Sequence, residues 1–136
     1  MHSTNYFNSF IEIAEDCPTT TGEIPPLKGD KKSVANLQFE MLYNHPYEYT
    51  SDEILFTVHA TRNQIAEEEL SQQRQLFFSK GQPCFRASPL TKSYGWGVHS
   101  NHAGKIALYS AGSEEYQRFV DDDSVPKKKA MRSKRA

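Results

Sequence analysis

Tyr94-Gly95-Trp96-Gly97-Val98-His99-Ser100, followed across Asn101-His102-Ala103-Gly104 by Lys105-Ile106-Ala107-Leu108-Tyr109-Ser110, is the stretch that decides the fold. Two short runs rich in aromatic and β-branched residues, joined by a Gly-containing polar turn, predict a β-hairpin. A hairpin makes part of the sheet antiparallel. The Gly-rich strand-to-helix turn of a doubly wound parallel fold is absent from the chain.

Upstream of the hairpin, Cys84-Phe85-Arg86-Ala87 predicts a short strand, and Pro89 bends the chain after it. Residues 65–80 carry Ala66, Leu70, Gln73 and Phe77 on one helical stripe, with Glu67-Glu68-Glu69 in the first turn and Gly81 at the C′ position. Residues 54–60 alternate, with Ile54, Phe56, Val58 and Ala60 on one side and Leu55, Thr57 and His59 on the other, which predicts a strand. Ser33 is a good N-cap for a helix to about Asn44, with Val34, Leu37, Met41 and Leu42 on one face and His45-Pro46 as its stop. Between Pro18 and Asp30 the Thr-, Pro- and Gly-rich composition predicts a long loop, and residues 6–14 alternate as a strand with aromatics on both faces.

Downstream, Ser113 caps a short helix in which Tyr116, Phe119 and Val120 share a face. Read together, these elements predict an α+β fold: a single-domain sandwich, with a mostly antiparallel sheet of about five strands and helices largely on one face. The globular domain is expected over residues 1–123, with a basic, disordered tail over 124–136.

The net charge of −1 hides an asymmetry. Lys127, Lys128, Lys129, Arg132, Lys134 and Arg135 give residues 127–136 six positive charges and no acid, while the rest of the chain holds ten basic and seventeen acidic side chains. Such a body is a poor partner for nucleic acid, which would be contacted through the tail if at all, as would an acidic protein partner. No apolar run is long enough to span a bilayer and no secretory signal is visible, so no membrane association is expected. Cys17 and Cys84 form neither a CxxC motif nor a disulfide framework, which favours a reducing, cytoplasmic setting. No second ligand stands at metal-binding spacing from His59, and no cofactor signature is present, so neither a metal nor a cofactor is expected. The oligomeric state stays open, since an aromatic strand face serves a dimer as readily as a core.

Several stretches resemble a family of short, uncharacterised bacterial and fungal proteins, a domain of unknown function. They are Asn5-Tyr6-Phe7-Asn8-Ser9-Phe10-Ile11-Glu12, Gly29-Asp30-Lys31-Lys32-Ser33-Val34-Ala35-Asn36-Leu37-Gln38, residues 77–99, Lys105-Ile106-Ala107-Leu108-Tyr109 and Met131-Arg132-Ser133-Lys134-Arg135. The resemblance covers nearly the whole length and implies no catalytic residue, substrate or cofactor.

The chemistry concentrates between Cys84 and His99, which hold the only Trp together with Arg, Lys, His and Gly-Trp-Gly. Arg86 offers a planar fork to an anion, with Lys92 and His99 as further donors and Trp96 as a stacking face. Lys31 and Ser33, at the start of the first helix, are the second contributor to this candidate site for a small anionic or aromatic ligand. The bland alternative is that Trp96 fills the core and Arg86 pairs with an acid. An enzyme is the third class: Cys84 or Ser88 can be paired with His99 on paper, yet no nucleophile elbow, HExxH or phosphate loop supports a reaction class.

Overall fold

The hairpin forms as expected, and the structure gives its register. In the computed structural model, which describes residues 2–133, strand β2 (Trp96–Ser100) runs antiparallel to β3 (Ile106–Ser110), with Val98 opposite Leu108 and His99 opposite Ala107. Asn101 closes the turn by accepting from the Ala103 and Lys105 amides through its side chain. On the other side of β2 lies β1 (Ser9–Glu12), antiparallel, with Phe10 opposite His99 and Ile11 opposite Val98.

The last strand corrects the expected tail. Lys127–Lys129 form β4, parallel to β1, so the sheet has four strands in the order β3-β2-β1-β4 and is mixed, where about five mostly antiparallel strands were expected. Val125 and Ala130 flank this segment as apolar anchors, and Phe10 N–H donates to Pro126 while Ala130 N–H donates to Glu12. Composition misled here, because an edge strand carries lysines readily: the ammonium groups stay in water and discourage further strand pairing. Lys127 Nζ donates to the Asp122 and Val125 carbonyls, and Lys129 lies 3.5 Å from Glu15. Arg132 is exposed, and Lys134 and Arg135 lie outside the described residues.

Two expected strands are helical instead. Residues 54–60 belong to helix α2 (Ser51–Arg62), started by a capping box in which Thr50 Oγ1 accepts from Glu53 N–H and the Glu53 carboxylate accepts from Thr50 N–H. Ile54 and Val58 are four apart, so they satisfy a helical stripe as well as an alternation. Phe56 completes the false pattern because it packs separately, against Phe77. Residues 85–87 form a single 3-10 turn. Ser88 Oγ then caps helix α4 (Pro89–Lys92) by accepting from Leu90 N–H, and Thr91 Oγ1 donates back to the Phe85 carbonyl. Helix α1 (Val34–Tyr43) begins at Ser33 as expected. The predicted helix over 65–80 is a 3-10 turn (Glu67–Glu69) running into α3 (Leu70–Phe78).

The sheet has two covered faces. Ile11, Trp96, Val98 and Ile106 point toward α1, α2 and α4, where Phe39, Leu42, Ile54 and Leu90 complete the larger core. Phe10 points the other way, onto Tyr116 and Phe119 of helix α5 (Glu114–Asp121), in a smaller core. Gly97 lies under that contact. A Cβ there would stand 2.6 Å from both Phe10 Cζ and Tyr116 Cε2, so only a glycine lets the rings settle on the sheet.

The segment before β1 is strapped across α2 and α3. Asp52 is 3% exposed, and its Oδ1 accepts from Thr4 N–H and Thr4 Oγ1, both at 2.7 Å, while Oδ2 accepts from Ser3 Oγ at 2.7 Å. Asn5 Oδ1 answers by accepting from Asp52 N–H, and His2 N–H donates to the Phe78 carbonyl. This lashing delivers Tyr6 to Cys84, at the edge of the site described next.

Candidate functional site

The six residues singled out in the sequence do not converge. Trp96 is 6% exposed, its indole N–H donates to the Glu23 carbonyl at 2.8 Å, and Phe39 and Tyr43 lie against the ring. The backbone of Gly22 closes the remaining side, near enough that a Cβ there would come within 2.8 Å of the indole. His99 is on the opposite face of the sheet, as three positions along a strand require. Its ring stacks on Phe119 at 4.3 Å and its Nδ1 meets the Tyr47 hydroxyl at 2.8 Å, which also meets the Tyr109 hydroxyl at 2.8 Å. Burial lowers the imidazole pKa of His99 and raises the phenol of Tyr47, whose backbone sits in the left-handed region at φ 61°.

Arg86 is held by the backbone. Its Nε donates to the Lys129 carbonyl at 2.7 Å and its backbone carbonyl accepts from Met131 N–H, so Arg86 clamps the end of β4 and the residues just after it. Lys92 stands half-buried in the last turn of α4. Ser33 is engaged in capping α1: its Oγ accepts from Asn36 N–H and its own N–H donates to Asn36 Oδ1. Lys31 is exposed beside the start of α1.

A different set does converge. Between α1, α2 and residues 82–89 lies a cleft of about 360 Å³, and part of the 84–99 stretch, from Cys84 to Pro89, forms one wall. Val34 and Gln38 contribute from α1 at a spacing of four. Leu55, Val58, His59 and Arg62 contribute from α2 at the three-four-seven spacing of one helical stripe. Phe77 and Pro83 supply further apolar wall.

Gln38 is the informative member. It is 2% exposed, and its Oε1 accepts from Ser88 Oγ at 2.5 Å, which leaves the amide nitrogen to find a partner elsewhere. Among the described residues Nε2 has no hydrogen-bond partner. It is not sealed either, since Ser9 Oγ is the one fully occluded, unpartnered side-chain atom found there. The amide N–H₂ group is therefore not fully occluded, and Gln38 is among the residues that line the cleft. A buried donor left this way costs roughly 1–3 kcal/mol unless something accepts from it.

The rim is cationic and polar. Asn63 Nδ2, which can only donate, stands 3.3 Å from His59 Nδ1. The ring also lies 4.6 Å from that of Phe77. Arg62 is exposed at the end of α2 and makes no ion pair among the described residues. It also borders a second depression, of about 450 Å³, lined by Asp30, Lys31 and Lys32, so Lys31 lies outside the cleft. Lys32 is held 2.8 Å from Glu40.

Cys84 completes the wall. It is a free, half-buried thiol whose Sγ lies 3.3 Å from the Tyr6 hydroxyl. Burial, and then the contact with Cys84, push the Tyr6 phenol up to about 12, with nearby Arg86 opposing. Among the described residues no group of three His, Cys, Asp or Glu side chains is arranged to hold a metal ion, and no helix is long and apolar enough to cross a membrane.

Gln38, His59 and Arg62 were missed as a set. The stripe on α2 is visible only when residues 51–62 are taken as a helix. The single signal for Gln38 was an amide four residues after Val34 on an otherwise apolar face.

Compared with known protein families, residues 1–136 match the family of unknown function DUF6157, and the chain belongs to it. A search of curated proteins finds no match, and neither does a search of solved structures.

Proposed function

We propose that this member of a family without an assigned activity binds a small organic anion with an apolar or aromatic body in the cleft between α1, α2 and residues 82–89. The observation that carries the reading is the Gln38 amide: a donor on a nearly inaccessible side chain, its oxygen engaged by Ser88, with nothing among the described residues to accept from its nitrogen. Val34, Leu55, Val58, Phe77 and the two prolines suit an apolar body, and Arg62 and the His59 ring suit an anionic end near the mouth. The ligand class is the one expected from the 84–99 stretch, and the residues proposed to hold it lie mostly elsewhere.

The alternative of a basic tail binding nucleic acid has less support, because Lys127 and Lys129 already have partners within the chain. A thermal-shift series with benzoate, phenylacetate and indole-acetate tests the proposal. A ligand at a hundred times its Kd stabilises by about 2.7 kcal/mol, which for a chain of this length raises Tm by roughly 9 °C. Arg62→Ala should weaken that response by about tenfold in concentration, equivalent to about 1.4 kcal/mol, and Arg86→Ala should leave it unchanged. A response abolished by Arg86→Ala and untouched by Arg62→Ala, or no response to any of the three anions, would overturn the proposal.

A further inference from the structure

We infer that Cys84 is a covalent attachment site for small α,β-unsaturated carbonyl compounds with an apolar or aromatic body, held in the cleft with their carbonyl oxygen on the Gln38 amide. This rests on the cleft being a ligand site. The chain holds two thiols, both free and both half-buried, and their surroundings differ. Cys17 packs against the larger core, whereas Cys84 lines the cleft. Gln38, on the same cleft, supplies a separate observation: a donor on a 2% exposed side chain with no acceptor among the described residues, and one suited to a carbonyl or carboxylate oxygen.

The chemistry needs a nucleophile, a hydrogen-bond donor for developing oxyanion charge, and a dry wall. As the Cys84 proton leaves to solvent, the Tyr6 hydroxyl, 3.3 Å away, donates to the sulfur. The sulfur electron pair forms a bond to the β-carbon, and the C=C π pair shifts until negative charge rests on the carbonyl oxygen. Gln38 Nε2–H donates to that oxygen. A solvent proton then returns to the α-carbon, giving a thioether. Thiol and unsaturated carbonyl are consumed one for one, with nothing oxidised or reduced by a third partner. Leu55, Val58, Phe77 and Pro83 would receive the apolar body, which distinguishes this class from small polar electrophiles.

The experiment uses the full chain and phenyl vinyl ketone, with adducts located by peptide mass mapping over time. Cys84 should label about tenfold faster than Cys17, at a rate that saturates with probe concentration. Gln38→Met should slow Cys84 labelling by about tenfold while changing its rate with iodoacetamide, which presents no carbonyl conjugated to its reacting carbon, by no more than about twofold. Should Gln38→Met fail to fold, protection of Cys84 in the native chain by excess phenylacetate decides the same question. Equal labelling of the two cysteines, a rate linear in probe concentration, or absence of protection would overturn the inference. Phenylacetate binding to the native chain separates the two readings. If the native chain binds the anion while its thiol shows no selectivity, the covalent step falls and the cleft stands. If it binds nothing, both fall.

Discussion

Asp52→Ala should be among the most damaging single substitutions outside the apolar core. The carboxylate is 3% exposed and accepts three hydrogen bonds of 2.7 Å, two from Thr4 and one from Ser3. The partners are not equally dependent on it. Ser3 is exposed and regains water, and Thr4 Oγ1 keeps Ser51 Oγ at 2.8 Å, but the buried Thr4 N–H has no substitute. One stranded buried amide together with lost charge-assisted bonds puts the cost at roughly 3–4 kcal/mol. At an unfolding entropy of about 2.1 cal/mol/K per residue, that lowers Tm by roughly 10–14 °C. Asp52→Asn is the control. Its Oδ1 can still accept both Thr4 bonds and its amide can donate to Ser3 Oγ, so its cost should stay near about 1 kcal/mol. Urea unfolding of the three proteins at neutral pH measures this. An alanine variant within about 1 kcal/mol of the parent, or an asparagine variant as damaged as the alanine one, would refute the reasoning.

The same physics gives three further expectations. Deleting residues 126–136 removes β4, the Pro126 and Ala130 bonds to β1 and the buried Ala130, so urea unfolding should show a loss of about 2–4 kcal/mol where a solubilising tail would show none. Gly97→Ala should cost about 1–3 kcal/mol by the same assay, because the new methyl meets Phe10 and Tyr116 at 2.6 Å and neither ring has room to retreat. His99 titrates below the usual 6.5 because it is buried, so the unfolded chain takes up that proton first as pH falls. Its contribution is therefore complete above the unfolded value and disappears as pH drops through the folded one. His99→Gln should flatten the stability profile below about pH 6.5 relative to the parent, and a profile equally steep in both proteins would exclude the effect.

The hairpin was legible because two independent signals agreed, an alternation on each arm and a polar Gly-containing turn between them. The starts of α1 and α5 were legible through Ser33 and Ser113, both of which cap their helices through the side chain. Residues 54–60 were misread because Ile54, Phe56 and Val58 satisfy period two while Ile54 and Val58 also satisfy a helical turn. The deciding residues, Thr50 and Glu53, lay just outside the window. Lys127–Lys129 were misread because net charge says nothing about whether a backbone edge is waiting to be paired, and β1 offers one. For the candidate site, Cys84, Ala87, Ser88 and Pro89 of the 84–99 stretch line the cleft, whereas alternation alone sends Trp96 and His99 to opposite faces of the sheet. That the Gln38 amide nitrogen has no partner among the described residues is a three-dimensional fact, and no spacing along the chain announces it.

The central claim is that the ligand site is the cleft at Gln38 and not the surroundings of Trp96. Titrating isotope-labelled protein with phenylacetate to about 10 mM, a range that captures even Kd values in the millimolar class, while following side-chain NMR signals tests it most directly. The account predicts that the Gln38 amide and Arg62 guanidinium resonances move together along one binding curve while the Trp96 indole N–H stays in place. Movement of the Trp96 indole with a stationary Gln38 amide, or no movement at either, would contradict it.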